Sequence, residues 1–158
     1  MHNNKKLPLR IGVGIVLLNT VNNIFVGKRI DNPSKYWQMP QGGVEKNEDF
    51  FQAAKRELEE ETSIKSVRFV KELEGWLEYE LPKNLLGKIW KGKFRGQKQK
   101  WFIMKFVGEN NEINIKTKNP EFLDWKWINP SNLPDVAVNF KLNIYKKIKK
   151  ELAFLKLN

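Results

Sequence analysis

The segment from Gly42 to Ile64 constrains this chain more than any other, because a glycine pair there leads into a helix rich in carboxylates. Glu57, Glu60 and Glu61 stand three and four residues apart, so a helix places their charges on one face within one turn. Such like-charge pairs destabilise a helix by about 0.2–0.5 kcal/mol each. A hard cation, Mg²⁺ or Mn²⁺, would relieve that repulsion because it prefers carboxylate oxygens. Taken alone, the pattern is more typical of an ordinary solvated acidic face.

Residue types that are missing exclude several kinds of chemistry. The chain has 158 residues, no cysteine and one histidine, His2. It therefore has no disulfide framework, thiolate zinc site or cysteine nucleophile, and a Ser-His-Asp triad would need a placed imidazole. Acid–base work must fall to carboxylates, lysine, tyrosine or metal-bound water. The carboxylate helix is nearly the only candidate for a catalytic centre.

Length and hydrophobic content predict one compact domain over residues 1–158. With 41% hydrophobic residues, six Trp and ten Phe, the chain can bury a substantial core. No apolar run is long enough to cross a bilayer, and the N-terminal sequence lacks the apolar stretch of a signal peptide. We expect a cytoplasmic protein without membrane contact and without an evident obligatory protein partner.

The net charge of +11 suggests a negatively charged ligand. A basic protein with an acidic metal cluster fits a polyanion held by Lys and Arg around a cation that neutralises part of its charge. The alternative is a lysine-rich genome, in which much of this charge only provides solubility.

Hydrophobic patterning predicts strands alternating with helices. The C-terminal segment from Phe140 has helical spacing, with Lys141 among the lysines of its solvated or anion-facing surface. Asn47 is predicted to cap the carboxylate helix, with Glu48 and Asp49 in its first turn. The predicted strands cover 10–18, 24–29, 67–81, 98–107 and 122–128.

The glycine–helix segment resembles the Nudix box, a pattern of fixed Gly, Glu, Arg-Glu and Glu-Glu positions. The residues in register are Gly42, Glu48, Arg56, Glu57, Leu58, Glu60, Glu61 and Ile64. One position departs, since Ser63 stands where the family has glycine. The resemblance implies metal-dependent cleavage of a nucleoside diphosphate linked to another group. It also implies an α/β fold, an α/β/α sandwich around a mixed β-sheet.

Segments outside the box resemble one branch of that family. Residues 37–43 (Trp-Gln-Met-Pro-Gln-Gly-Gly) and 96–102 (Gly-Gln-Lys-Gln-Lys-Trp-Phe) are similar to segments of the bacterial RNA pyrophosphohydrolases. Slightly altered versions occur in the asymmetric dinucleoside tetraphosphate hydrolases. In both activities water attacks a phosphorus of a polyphosphate chain that carries a 5′ nucleoside.

The resemblance assigns roles by position. It implies metal binding by Gly42, Glu57, Glu60, Glu61 and Glu121, and a catalytic contribution from the three helix glutamates together with Arg56 and Glu48. It implies substrate contacts from Arg10, Arg29, Gln97, Lys98, Lys100, Val138 and Phe140.

Some of these roles also have a physical basis. Gly42 lacks a Cβ, which lets metal or phosphate approach the backbone. Arg56 can pair with Glu48 or orient Glu57. A lysine pair on one strand face can neutralise phosphate oxygens, and Lys98 and Lys100 alternate onto the same face.

Two positions keep open alternatives. Phe140 could stack on a nucleobase together with Val138, or it could be ordinary core. Ser63 at a helix end would cost about 1 kcal/mol in the left-handed conformation that glycine adopts there, so the turn could differ from the family's.

The sequence as a whole indicates a Nudix hydrolase that uses Mg²⁺ or Mn²⁺, with more than one ion expected. The first choice of substrate is 5′-triphosphorylated RNA, with release of pyrophosphate. The alternative is a dinucleoside polyphosphate such as diadenosine tetraphosphate, cut asymmetrically. A non-catalytic RNA-binding module is the remote alternative, because none of Glu57, Glu60 and Glu61 has been lost.

Overall fold

The structure, a computed structural model, describes residues 7–31 and 35–155. His2 and the Asn32-Pro33 pair lie outside the described residues. No helix in the described ranges is long and apolar enough to cross a membrane.

A mixed sheet forms the middle of the described fold. Its main path runs β4-β6-β1-β2-β7, while β3 pairs with β1 and β5 pairs with β6. The long strands β1 and β6 run parallel and the other pairs are antiparallel. The strands are β1 Leu9–Leu18, β2 Ile24–Arg29, β3 Gln41–Gly43, β4 Val67–Glu72, β5 Leu77–Glu80, β6 Gly96–Phe106 and β7 Phe122–Ile128. The α-helices are α1 Phe50–Thr62, α2 Leu133–Val136 and α3 Leu142–Phe154.

Each face of the sheet buries its own core. Alternate residues of β1 divide between the faces, so that Val13 and Ile15 join the core beneath α1 whereas Val16 and Leu18 join the core beneath α3. A helix on either side of a mixed sheet confirms the predicted α/β/α sandwich.

The start of α1 corrects the predicted cap. Asp49, not Asn47, is the N-cap, and its carboxylate accepts a hydrogen bond from the backbone N–H of Gln52 at 3.1 Å. Asn47 instead adopts a left-handed φ of 63° in the preceding turn. Glu48 consequently lies before the helix, where its side chain is free to turn toward Arg56.

Two other elements differ clearly from the predictions, whereas the bounds of β1 and β6 shift by only one or two residues. The predicted strand over 67–81 is two strands, because the chain turns at Gly75, whose φ is +74°. The C-terminal helix begins at Leu142, since Asn139–Lys141 forms a 3₁₀ turn. The predictions for β2 and β7 match the observed bounds, Ile24–Arg29 and Phe122–Ile128.

Ser63 ends α1 in the left-handed conformation, with φ 66°. Its backbone N–H donates to the carbonyl of Glu59, and its Oγ donates to the carbonyl of Asn114 at 2.8 Å. The side-chain hydrogen bond therefore offsets part of the backbone strain, and the glycine-like turn is kept without glycine.

This balance predicts the stability of two variants. Ser63→Ala loses the Oγ hydrogen bond but keeps the strain, whereas Ser63→Gly loses the bond and relieves the strain. We expect the free energy of unfolding of the alanine variant to be about 1 kcal/mol lower than that of the glycine variant. Urea unfolding of the two proteins measures this difference, and equal stabilities would contradict the left-handed assignment.

Candidate active site

A cleft of about 1460 Å³ opens where β3, the C-terminal half of α1 and the segment before α3 meet. Acidic side chains from α1 and the residue before β7 line one part of it, and cationic and aromatic side chains line the rest. The charged lining residues include Glu57, Glu60, Glu61 and Glu121 among the acids and Arg10, Arg29 and Lys141 among the cations.

Arg56 connects the glycine strand to the carboxylate helix. Its guanidinium donates to both carboxylate oxygens of Glu48 at 2.8 and 2.9 Å and to the carbonyl of Gly43 at 3.0 Å. It also donates to Glu57 at 3.0 Å and to Glu60 at 3.2 Å. The hydrogen bond from Arg56 lowers the pKa of Glu48 to about 2, so Glu48 stays ionised.

Gly42 makes room for the carboxylate of Glu57. A Cβ on Gly42 would overlap the side-chain carboxyl group of Glu57, so another residue type at this position would displace that carboxylate. Glu57 is half-buried, and burial raises its pKa above the ordinary value. Gly42 therefore contributes at least by leaving space for the Glu57 carboxylate.

Glu61 is the most unusual group in the cleft. Its side chain is buried, and its Oε2 has no hydrogen-bond partner among the described residues. Burial raises the pKa of Glu61 well above 4.5, and the nearby charges of Glu57 and Glu121 raise it further. A buried carboxylate oxygen without a partner is costly unless a cation or proton balances it.

The donor set fits a hard divalent cation, although it does not form a finished cage. No three acidic side chains of the described residues already surround a common metal position. Glu57 and Glu60 are held by Arg56 instead, so they would have to leave it to join Glu61 at one ion. Carboxylate oxygens are the ligands that Mg²⁺ and Mn²⁺ prefer, and the unpartnered oxygen of Glu61 supports such a site.

The cations of the cleft are held by identifiable neighbours. Arg29 donates to both oxygens of Asp31 at 2.7 and 2.6 Å, and its Nη2 lies 3.9 Å from Glu121. Arg10 donates to Gln97 at 3.2 Å and lies over the ring of Trp90, 5.4 Å from its centre. Both arginines are therefore positioned before any ligand arrives.

Lys141 is buried, whereas the helical spacing of the C-terminal segment predicted that it would lie on the surface with the other lysines. Only 7% of it is exposed, and its Nζ lies 3.4 Å from the amide oxygen of Gln38. Burial lowers the pKa of Lys141 to about 7, with the positive charge of Arg29 as the next cause. Helical spacing could not reveal this, because the 3₁₀ turn before α3 rotates Lys141 inward.

The comparisons with known proteins agree with this geometry. A model of the NUDIX domain matches residues 8–148. The chain belongs to the Nudix hydrolase family. An RNA pyrophosphohydrolase of Pelagibacter ubique (strain HTCC1062) is 63% identical over 153 residues, which cover 96% of this chain and 97% of the relative. An RNA pyrophosphohydrolase of Orientia tsutsugamushi (strain Boryong) is 45% identical over 146 residues, covering 92% of this chain and 91% of the relative.

Solved structures share the fold at low identity. The E. coli dihydroneopterin triphosphate pyrophosphohydrolase superposes with a TM-score of 0.71 at 21% identity, covering 92% of this chain and 99% of that chain. A binary complex of the C. elegans Ap4A hydrolase gives a TM-score of 0.65 at 21% identity, covering 91% and 99%. Nudix hydrolases generally require divalent cations, in agreement with the carboxylates of α1.

The predicted base-binding pair of this Nudix protein lies in the same cleft. Val138 and Phe140 both line it, and the Phe140 ring packs at 5.6 Å from the Tyr79 ring. Phe140 is half-buried, so one part of its surface packs and another part stays accessible. Its stacking on a nucleobase stays a prediction.

Lys98 and Lys100 lie apart from the cleft lining. As predicted, they share one face of β6, and Gln97 and Gln99 are buried on the other. The Lys98 and Lys100 ammonium groups lie 5.0 and 5.1 Å from the ring centre of Trp76, on the α1 side of the sheet. Of the two faces, only the one with Gln97 contributes to the cleft lining.

The predicted phosphate contact of these lysines can be measured as a salt effect. If both contact phosphates, the Lys98→Ala/Lys100→Ala variant should raise KM for polyphosphate substrates. It should also reduce the slope of log K against log salt by about 0.7 for each contact. A matched control removes two exposed lysines of α3, Lys149 and Lys150. An unchanged slope would assign Lys98 and Lys100 to the surface around Trp76.

The metal-free stability of this protein should depend on pH through Glu61. Its folded-state pKa is raised, so the folded state binds more protons than the unfolded state above pH 4.5. Stability attributable to Glu61 is therefore greatest below pH 4.5 and falls as pH rises toward the folded-state pKa.

Urea unfolding in EDTA at pH 5 and pH 8, for wild type and Glu61→Gln, isolates this effect. Other groups titrate alike in both proteins, so we expect the stability of wild type relative to the variant to fall between the two pH values. A relative stability that is flat or rises with pH would contradict the buried, unpartnered state of Glu61.

Proposed function

We propose that this Nudix hydrolase removes pyrophosphate from the 5′ end of triphosphorylated RNA. The observation that carries the proposal is one cleft whose lining combines Glu61, which has a buried oxygen without a partner, with Arg10, Arg29 and Lys141. Such a site can hold cations on one side and polyphosphate oxygens on the other. The names of the two relatives, both aligned over more than nine-tenths of their length, support the RNA substrate.

In the proposed reaction, water attacks a phosphorus of the triphosphate, and the anhydride bond to the departing pyrophosphate breaks. RNA with a 5′ monophosphate and inorganic pyrophosphate are the products. Arg10, Arg29 and Lys141 bind the phosphate oxygens and neutralise part of their charge. In this proposal a carboxylate of the cleft accepts the proton of the attacking water.

Glu57, Glu60 and Glu61 would hold the divalent cations, with Glu121 as a further ligand. Bound Mg²⁺ or Mn²⁺ would polarise phosphate oxygens and lower the pKa of a bound water. Arg56 and Glu48 would fix the orientation of Glu57 and the adjoining glycine strand. This proposal includes more than one ion, a single Nudix domain over residues 1–158, and action in the cytoplasm without an obligatory protein partner.

A dinucleoside polyphosphate is the second candidate substrate, because the cleft holds aromatic side chains besides Phe140. Tyr36, Trp37 and Trp90 also line it, and a second nucleobase could pack against such rings. Asymmetric cleavage of diadenosine tetraphosphate would use the same carboxylates and cations.

A comparison of kcat/KM values separates the two substrates. The enzyme is given 5′-triphosphorylated RNA and diadenosine tetraphosphate under identical conditions with Mg²⁺ or Mn²⁺. The proposal predicts a higher kcat/KM for the RNA. A higher value for the dinucleotide would overturn it in favour of the second candidate.

A further inference from the structure

A line of hydrogen-bonded side chains crosses the sheet beneath the cleft. The indole N–H of Trp101 donates to Oε1 of Gln99 at 3.2 Å, and Nε2 of Gln99 donates to Oε1 of Gln41 at 3.0 Å. Trp101 and Gln99 are buried, with 1% and 0% exposed, and Gln41 is half-buried in the cleft lining. We call these three residues the amide relay.

The Trp101 indole, at the buried end of the amide relay, determines which way the two glutamine amides point. A glutamine amide can be turned either way, and its neighbours determine which way it points. The Trp101 indole can only donate, so it requires the carbonyl oxygen of Gln99. The NH₂ group of Gln99 must then face Gln41, which has to present its own oxygen. The NH₂ group of Gln41 is thereby directed away from Gln99.

The fold makes space for the amide relay with a strand glycine. Gly14 in β1 pairs with Gln41 on one side and with Trp101 on the other. A Cβ on Gly14 would overlap the Trp101 ring. Glycine in a strand interior costs about 0.5–1 kcal/mol relative to alanine, and here it allows a buried polar line to cross the sheet. A buried line of polar side chains destabilises the fold unless each polar group has a hydrogen-bond partner. When every group has one, the line favours a single arrangement of the side chains.

Gln41, whose amide also hydrogen-bonds to the Tyr79 side chain, lies beside the carboxylates of the site. It directly precedes Gly42, against which the Glu57 side chain lies. Its half-buried amide shares the cleft with Arg10, whose partner Gln97 is likewise oriented by a group that only donates. An amide NH₂ group has two N–H donors, so one is left beside these cations for a negatively charged acceptor, which in the proposed reaction is a phosphate oxygen.

We propose that Gln41 contacts a phosphate oxygen of the substrate and that Gln99 and Trp101 act through it as positioning residues. The amide relay keeps an N–H donor, rather than a carbonyl oxygen, directed at the polyphosphate chain. This inference rests on the proposed function in one respect, since it requires a polyphosphate in the cleft, but it does not depend on RNA as the substrate.

Binding of inorganic pyrophosphate in the presence of Mg²⁺, measured by calorimetry, tests the polarity of Gln41. Gln41→Met removes the donor and should raise Kd about 10-fold, as for a hydrogen bond to a charged group. Gln41→Glu still accepts from Gln99 but directs an oxygen to the cleft, so its Kd should rise further. A glutamate variant that binds as tightly as wild type would overturn the polarity.

The positioning role is tested by Gln99→Met alone and together with Gln41→Met. Alone, it should raise the pyrophosphate Kd and the KM for triphosphorylated RNA about as much as Gln41→Met does. In the Gln41→Met background it should add nothing, because its effect passes through Gln41. Equal and additive increases in both backgrounds, with a lower Tm, would reduce Gln99 to a structural residue. Pyrophosphate binding needs neither RNA nor turnover, so loss of the RNA activity alone would refute the proposed function and not the amide relay.

Discussion

Glu61→Gln is expected to lower kcat by ~10²-fold or more while the protein stays folded. The amide keeps the shape of the side chain but loses the charge that would hold a cation. Because the substitution removes a buried, unpartnered carboxylate, the metal-free variant should be at least as stable as wild type. A loss of activity would then not be explained by unfolding. Glu60→Gln should likewise abolish turnover.

The matched control is Glu74→Gln, which changes an exposed glutamate between β4 and β5. Steady-state kinetics with saturating Mg²⁺ compares the variants, and thermal unfolding with and without Mg²⁺ reports metal binding. Wild type and Glu74→Gln should gain Tm from the ion, whereas Glu61→Gln should gain little. Near wild-type rates for Glu60→Gln and Glu61→Gln would refute the metal assignment.

Arg56→Lys is expected to reduce kcat/KM about 10–100-fold, the usual effect of changing a residue that orients metal ligands. Lysine keeps the charge but cannot donate at once to Glu48, to Glu57 and to the carbonyl of Gly43, as the guanidinium does. The glycine strand and the carboxylate helix would then lose their shared anchor.

Arg68→Lys is the control for this substitution, since Arg68 is exposed on β4 and does not line the cleft. A metal titration of activity shows where the effect of Arg56→Lys arises. The structure predicts that the variant needs more Mg²⁺ for half-maximal rate. An unchanged metal requirement together with full activity would mean that Arg56 is only a surface ion pair.

The sequence predicted the features that depend on local spacing. The carboxylates of Glu57, Glu60 and Glu61 had to share a helix face, and the alternation along β6 had to separate Lys98 from Gln97. The family resemblance added the register of Gly42 and Arg56: in the structure Arg56 donates to the carbonyl of Gly43, and Gly42 leaves space for Glu57. The roles assigned to individual residues at the site stay predictions.

What the sequence did not reveal depends on contacts between distant segments. The burial of Lys141 results from a 3₁₀ turn that helical periodicity cannot anticipate. The unpartnered oxygen of Glu61 depends on the burial of its side chain among distant segments, which also bring Glu121 and Arg29 near it. The amide relay requires β3, β1 and β6 to lie side by side, and only then does Gly14 face both Gln41 and Trp101. The resemblance of segment 96–102 drew attention to Gln99, but its hydrogen-bonding role could be recognised only from the pairing of the strands.

RNA labelled in the β-phosphate of its 5′ triphosphate tests the proposed reaction in a single assay. Wild-type enzyme with Mg²⁺ or Mn²⁺ should release the label as inorganic pyrophosphate, and EDTA should stop the release until the cation is restored. Label that stays on the RNA, or release that continues unchanged after chelation, would contradict the proposal that carboxylate-bound cations on α1 support pyrophosphate removal.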